Sequence, residues 1–310
     1  MPVRIGVIGS ANMDLVAQVP RAPGAGENVR GRDLREIPGG KGANQAVGVA
    51  RLGAECHFVG KVGADGFGDA LRENLRREGV NTTHLATEAG APSGIALIMV
   101  DANGQNSIVV CPGANGCLRP EDVTPLRGEL ETLDAIVMQL EVPIDTVAAV
   151  IALAEEVETP VVLDAGPPLH GAPDELFRVD ILTPNEAEAS ALAGRPVRDL
   201  REAESAAREF LSRGAGAVVL KLGEKGALLV TPETVEHFPA HKVQVVDTTA
   251  AGDAFTAALA VFRAEGLPLR EAVALANCAG ALAATRPGAQ PSMPTRREVE
   301  EFKAARCAGR

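Results

Sequence analysis

The sequence predicts an α/β protein: a doubly wound, mostly parallel sheet with helices on both faces, and a small β-sheet appended to it. Short apolar runs alternate with helix-length stretches through most of the 310 residues, which is the rhythm of strand–crossover–strand units. Two pairs of runs break that rhythm, with turn residues but no helix between their members. Small-residue turns at 37–46 and 246–255 open helices, where a ligand can approach the backbone closely.

The elements follow in order. Residues 3–9 are a near-continuous apolar run, as expected of a buried parallel strand. Asn12 and Asp14 come just after it, where open α/β sheets place ligands, although both are also common turn formers. Residues 15–19 and 28–37 read as strands around Pro20-Arg21-Ala22-Pro23-Gly24. Gly39-Gly40 opens a helix to about Leu52, with Lys41 at its start and Asn44 one turn in. A strand (56–62), a helix (67–78) and a short strand (84–86) follow. Residues 94–100 and 106–111 form the second strand pair around Asp101-Ala102-Asn103-Gly104.

Regular alternation then resumes. Residues 121–130 read as helix, 135–140 as strand, 144–157 as helix, 160–164 and 181–182 as strands, and 186–193 and 201–213 as helices. Glu141 lies just past one strand, as a solvated loop residue would. Asn185 is placed to cap a helix. Strands at 217–222 and 227–230 flank Lys221, Gly223 and Gly226, which a tight turn alone explains. An apolar strand at 243–246 leads into a helix from Ala251 to about Ala264, and a last helix spans 269–284.

Asp253 lies in the first turn of the helix that opens at Ala251. A carboxylate there complements the helix dipole. It is also placed to take a proton from a hydroxyl beside an anion held on the free amides of Ala250, Ala251 and Gly252. The residues by themselves leave both readings open.

Composition narrows the function classes. Hydrophobic content is 46% with regular Gly and Pro punctuation, as in globular proteins. A formal charge of -11, with no basic run, argues against nucleic acid as a partner. The absence of Trp and Tyr leaves little for stacking on bases. Cys56, Cys111, Cys117, Cys278 and Cys307 are odd in number and form no C-x-x-C, so reduced thiols in a cytoplasmic protein are expected. His57, His84, His170, His237 and His241 are dispersed and give no metal spacing. Neither a leader peptide nor a membrane span is expected.

The stretch Ile37-Pro38-Gly39-Gly40-Lys41-Gly42-Ala43-Asn44-Gln45-Ala46 is neither a Walker A loop nor a dinucleotide G-x-G-x-x-G. It stands in order with Gly9-Ser10-Ala11-Asn12-Met13-Asp14, Gln139-Leu140-Glu141 and Thr183-Pro184-Asn185-Glu186. Val246 through Phe255 and Arg286 through Ser292 complete the set. Together they resemble the PfkB-type carbohydrate kinase family over almost the whole chain, and the ribokinase branch of it most closely.

That resemblance implies a ribokinase-like fold. The main domain would comprise residues 1–12, 39–91 and 113–310, and a β-sheet lid residues 13–38 and 92–112. The lid would close over the sugar and join two copies as a homodimer. The implied activity is ATP-dependent phosphorylation of D-ribose at O5, with Asp253 as general base and the Ala250, Ala251 and Gly252 amides as anion hole. Asn12, Asp14, Gly40, Lys41, Asn44 and Glu141 would bind the sugar together with Asp253. Asn185, Lys221, Gly223, Gly226, Gly252 and Asn277 would line the ATP site, although some members carry Thr where this chain has Lys221. Glu188 would hold Mg²⁺ through water. Asp247, Thr249, Ala283, Arg286, Gly288 and Ser292 would cage K⁺. Acceptors used elsewhere in the family stay open: fructose, 2-keto-3-deoxygluconate, deoxyribose or a nucleoside. So does a non-catalytic sugar-binding role.

Overall fold

The computed structural model describes residues 1–307. The last three residues of the expected main domain, and the side chain of Cys307, lie outside what it describes. The chain begins with β1 (Arg4–Ile8), β2 (Asn12–Gln18) and β3 (Asp33–Gly39), then α1 (Lys41–Arg51), β4 (Glu55–Gly63), α2 (Gly66–Arg77) and β5 (Asn81–Glu88). Next come β6 (Gly94–Val100), β7 (Asn106–Cys111), the short helices α3 (Pro120–Val123) and α4 (Arg127–Leu130), and β8 (Ala135–Met138). They lead to α5 (Ile144–Glu156), β9 (Val161–Leu163), β10 (Ile181–Leu182), α6 (Glu186–Ala193) and α7 (Leu200–Ser212). The chain continues with β11 (Ala217–Lys221), β12 (Ala227–Val230), β13 (Val235–Phe238), α8 (Ala251–Ala264), α9 (Leu269–Ala283) and α10 (Arg296–Cys307).

The larger sheet has nine strands in the order β13-β12-β11-β10-β9-β8-β1-β4-β5. Pairing is parallel from β11 to β5 and antiparallel at β11–β12 and β12–β13. Residues on β1 alternate between two cores. Ile5 and Val7 join α1, α8 and α9 on one face, and Ile8 joins α5, α6 and α7 on the other. Burial on both faces explains why these strands read as continuous apolar runs. Helix α8 is buried without a break from Asp253 to Phe262, which its alanines permit. A methyl on Gly48 of α1 would lie 2.8 Å from the Ala257 Cβ, so these two helices need small residues where they meet.

Strand order reverses at β1, whose neighbours are β4 on one side and β8 on the other. A crevice opens outside the carboxyl ends of the strands at such a point. Gly9-Ser10 and Gln139-Leu140-Glu141 both emerge there.

The second sheet has four strands in the order β3-β2-β6-β7, with β2 and β6 parallel. Its register sets Asp14 opposite Ile37 and Ala96, and Ala96 opposite Val110, on one face. Leu34, Leu97, Ile108, Val109 and Val110 of this sheet are exposed.

Several expectations are corrected. Asn12 and Asp14 lie on β2, which begins at Asn12, not in a turn before it. Residues 28–32 are not strand; β3 begins at Asp33. The helix expected at 121–130 is broken into α3, a 3-10 turn and α4, because Pro125 cannot continue an α-helical ladder. Residues 243–246 form no strand. Val245 and Val246 are 59% and 57% exposed, and the Val246 N–H donates to the Ala284 carbonyl at 2.9 Å. β13 and α10 went unread because their surfaces are mostly polar or exposed. Cys56, Cys111, Cys117 and Cys278 form no disulfide, and no described helix is long and apolar enough to cross a membrane.

Gly40 joins the two sheets. It precedes α1 with φ 87°, and a Cβ there would stand 2.7 Å from the Asn12 nitrogen. Gly40→Ala should therefore cost more than the roughly 1–2 kcal/mol of a left-handed side chain, because it adds an overlap with β2. Gly53→Ala is the control: φ is 90° and nothing lies within 4 Å of the added methyl. Equilibrium urea unfolding should show the larger loss for Gly40→Ala, and equal losses would refute the close contact.

Candidate active site

The crevice is closed at one side by Glu141. Its Oε2 accepts from Ser10 Oγ at 2.5 Å and from the Lys41 N–H at 3.0 Å, and Ser10 Oγ accepts in turn from the Gly42 N–H at 3.3 Å. Glu141 thus satisfies an amide at the start of α1, where the helix dipole favours an anion. It is a fixed group, not a solvated loop residue.

Asp253, 5% exposed, faces the same place from α8. Asn44 Nδ2 donates to its Oδ2 at 2.9 Å and Gln45 Nε2 to its Oδ1 at 3.0 Å. The Lys41 ammonium is 3.8 Å from Oδ1. Asn44 therefore binds the carboxylate with its nitrogen, and its buried Oδ1 has no partner in the protein. Behind Asp253 lies Asp164, fully buried at the end of β9. It accepts from Gln45 Nε2 at 2.8 Å and Lys221 Nζ at 2.9 Å, with Lys41 Nζ at 4.0 Å.

Titration follows from these neighbours. Burial alone would raise the Asp164 carboxyl, but Lys221 and then Lys41 hold it below its ordinary value. Burial disfavours the Lys41 ammonium, yet Asp164, Asp253, Glu188 and Glu141 outweigh it and keep that group protonated well above the usual lysine range. Glu188 is raised, chiefly by burial. The Asp14 carboxyl is pushed up to about 7 by burial, then by the charges of Glu141 and Asp253.

Asn12 is buried, and its Oδ1 accepts from Asn115 Nδ2 at 2.7 Å. Asn115 also bridges both backbone groups of Ala11, at 2.9 and 3.1 Å. Gly40 packs on the Asn12 backbone from the other side.

At the start of α8, Ala250 has φ 60°, a left-handed conformation unusual for a residue with a side chain. The Ala251 amide donates to the Thr248 carbonyl at 3.2 Å, so it is not the free donor expected from sequence. Among the described residues nothing accepts from the amides of Ala250 and Gly252. The Lys221 ammonium lies beside them, 3.7 Å from where a Gly252 Cβ would be.

Asn185 and Glu188 cap α6 reciprocally, Asn185 Oδ1 accepting from the Glu188 N–H at 2.9 Å and Glu188 Oε2 from the Asn185 N–H at 2.7 Å. Glu188 Oε1 and Lys41 meet over Gly166, where a Cβ would be 2.5 Å from the oxygen and 2.8 Å from the nitrogen. Gly223 and Gly226 bound the 3-10 turn between β11 and β12. Asn277 stands apart from the Asp253 cluster, donating to the Pro239 carbonyl at 2.9 Å.

Two of the residues expected to cage K⁺ are tied together through Asp247. Asp247 accepts from the Thr249 N–H with one oxygen and from the Gly288 N–H with the other, both at 2.9 Å. Burial would raise its carboxyl, but these donors hold it low. The Ala283 carbonyl accepts from the Arg286 N–H at 3.1 Å, and Arg286 pairs with Glu298. Buried Ser292 donates its hydroxyl to the Ala289 carbonyl at 2.7 Å.

Sequence reasoning missed Asp164 and Asn115 and gave Gln45 no role of its own. Their only signals were position at a strand end, in the return from the second sheet, and within the glycine-rich stretch. A cavity of about 610 Å³ lies elsewhere, between α2 and the four-stranded sheet, and none of the residues around Asp253 lines it.

The profile of the pfkB family carbohydrate kinases matches residues 4–296. The chain is 40% identical over 298 residues to a ribokinase of Bacillus subtilis, covering 96% of this chain and 98% of that one. It is 36% identical to a deoxyribokinase of Salmonella typhi, covering 96% and 98%. A solved ribokinase from Thermotoga maritima superposes with a TM-score of 0.88 at 40% identity, over 97% of this chain and 99% of that chain. Arabidopsis thaliana ribokinase, solved with ribose and ATP, gives 0.91 at 34% identity over 98% and 99%.

Asp14 yields a stability test. In an unfolded chain its carboxyl titrates near about 4, whereas here it titrates at about 7. Between those values the native state holds a proton that the unfolded chain has lost, so the contribution of Asp14 to stability falls as pH rises through that window. Asp14→Asn should stabilise the ligand-free protein at pH 8 by about 2 kcal/mol, after discounting for partial solvent access, and by almost nothing near pH 4. Thermal unfolding at the two pH values checks this, and a pH-independent difference would contradict it.

Proposed function

The chain belongs to the pfkB family of carbohydrate kinases, and from that membership and the surroundings of Asp253 we propose that it is an ATP-dependent ribokinase. It transfers the γ-phosphoryl group of ATP to O5 of D-ribose. The observation that carries this reading is a buried carboxylate at a helix N-terminus, gripped by two amides of the glycine-rich stretch and paired with Lys41, with Lys221 beside the neighbouring Gly252.

The sugar lies in the crevice at the carboxyl end of β1. Asn12 has its oxygen occupied by Asn115, which leaves its NH₂ to donate to a sugar hydroxyl. Asp14, Glu141 and the unpartnered Asn44 Oδ1 accept from hydroxyls, and Gly40 lets the ring approach the backbone. Asp253 takes the proton of the 5-hydroxyl as that oxygen attacks the γ-phosphorus and the β–γ oxygen leaves with ADP. The Ala250 and Gly252 amides and the Lys41 and Lys221 ammonium groups stabilise the charge on the transferring phosphoryl oxygens. Asn185, Gly223, Gly226 and Asn277 line the rest of the nucleotide's path.

Carboxylates outnumber ammonium groups around this site: Asp14, Glu141, Asp164, Glu188 and Asp253 against Lys41 and Lys221. A polyphosphate alone would be repelled, which fits Mg²⁺ carried in by ATP and held by Glu188 through water. Mg²⁺ neutralises phosphate charge when bound. The all-oxygen set of Asp247, Thr249, Ala283, Arg286, Gly288 and Ser292 fits K⁺, a large and weakly charged ion, which would brace the loop leading into α8.

The four-stranded sheet, which reaches one residue beyond the expected 13–38 at each end and otherwise falls in 92–112, serves as the lid that keeps water from the γ-phosphate. Its exposed Leu34, Leu97, Ile108, Val109 and Val110 support a homodimer through the lid. A cytoplasmic location agrees with Cys56, Cys111, Cys117 and Cys278 as free thiols. The 36% identity to a deoxyribokinase favours one second reading, 2-deoxyribose as acceptor. Turnover with ribose and with 2-deoxyribose, compared as kcat/KM in an ADP-release assay, separates the two.

Asp253→Asn should lower kcat by about 10³-fold or more while sugar affinity stays within about threefold. Turnover near that of the parent would remove Asp253 from the role of base. Activity should also rise on adding K⁺ to protein freed of it in Na⁺ buffer, and equal rates in the two salts would rule out the cation loop.

A further inference from the structure

Asp164 is fully buried, yet the mechanism above assigns it no step. Its N–H donates to the Met138 carbonyl at 2.8 Å, so its backbone is fixed to β8. Oδ1 accepts from Lys221 Nζ at 2.9 Å; Oδ2 accepts from Gln45 Nε2 at 2.8 Å and from Thr256 Oγ1 at 3.4 Å. The same Gln45 nitrogen donates to Asp253 Oδ1 at 3.0 Å. An amide nitrogen carries two hydrogens, and here each goes to a different carboxylate. Gln45 Oε1 accepts from Gln139 Nε2 at 2.7 Å. That bond fixes the orientation of the amide, since the flipped form would set an oxygen against two anions.

We propose that Gln45, anchored on Asp164, is a positioning residue for the base. Deepening the kinase reading, this rests on Asp253 being that base. Asn44 and Gln45 are neighbours on α1, and each holds one oxygen of Asp253. Carboxylate rotation about its last bond is soft, and a donor on each oxygen removes that freedom. The lone pairs left over then point at the acceptor hydroxyl. Because Asp164 also holds Lys221 beside Gly252, a single buried group sets the spacing between base and anion site. Misplacement of reacting groups by about 1 Å can cost about 10²-fold in rate.

The test uses the full chain with saturating ATP, Mg²⁺, K⁺ and ribose. Gln45→Met keeps length and removes the donor. It should lower kcat by about 10- to 100-fold and leave ribose affinity, measured by calorimetry without ATP, within about threefold. In an Asp253→Asn background the same change should have almost no further effect on residual turnover, measured with radiolabelled ATP. Asp164→Ala removes both acceptor oxygens, so it breaks the link from its other end and should reproduce the kcat loss, with the double variant no worse than the poorer single one. It also serves if Gln45→Met fails to fold. Wild-type kcat in both single variants, with Asp253→Asn inactive, overturns the positioning role and leaves the base standing. Full additivity with Asp253→Asn also overturns it, because a merely structural role would add. Turnover retained by Asp253→Asn overturns the base reading itself.

Discussion

Two buried carboxylates, Asp164 and Asp253, share one amide nitrogen between them. Like charges this close, out of water, repel each other strongly unless cations intervene. Lys41 lies within 4.0 Å of both and Lys221 at 2.9 Å from one. The arrangement holds only if the elements carrying these groups converge: the start of α1, the start of α8, and the ends of β9 and β11. Breaking such a buried pair by removing one partner typically costs about 3–5 kcal/mol. Much of the packing serves that convergence, from the bare contact of Gly48 with Ala257 to the unbroken burial of α8.

The same cluster explains why the site is built on the sheet's point of reversal. The Gly9-Ser10 and Gln139–Glu141 ends enter one crevice only because β1 lies between β4 and β8. Glu141 then binds the α1 amide and the Ser10 hydroxyl at once, tying the first helix to both strand ends. Asn115 ties the second sheet to the first through Ala11 and Asn12. On the proposed reading, sugar contacts would be distributed over both sheets, and the phosphoryl contacts over α8 and β11.

Elements with strong local punctuation were legible. β6, β7, α6, β12 and the start of α8 fall where apolar runs meet Gly, Pro or Asn. Where pattern and context disagreed, context won. Val243, Val245 and Val246 suit a strand by propensity, but they pair with no described strand, and Val245 and Val246 stay exposed in a loop. Pro125 outweighed a helical pattern. In the site, Lys41, Asn44 and Asp253 were expected through the family resemblance that the two small-residue turns carry, while the residues by themselves left the role of Asp253 open. Asp164 and Asn115 were not expected, because a lone polar residue at a strand end has no periodic signature. Their meaning arises only from which strands become neighbours.

The parallel pairing of β2 with β6 bears on how the protein is made. β2 and β3 leave the ribosome early, and by themselves they are a two-stranded hairpin, marginally stable in water. β2 receives its second neighbour only after α1, β4, α2 and β5 have emerged and the chain has turned back through Gly94. The four-stranded sheet, proposed to cover the sugar, is therefore assembled from two separate passages of the chain, late and non-locally, the slow kind of strand pairing. No contiguous segment encodes it, so the sheet cannot be cut out or transplanted as one piece.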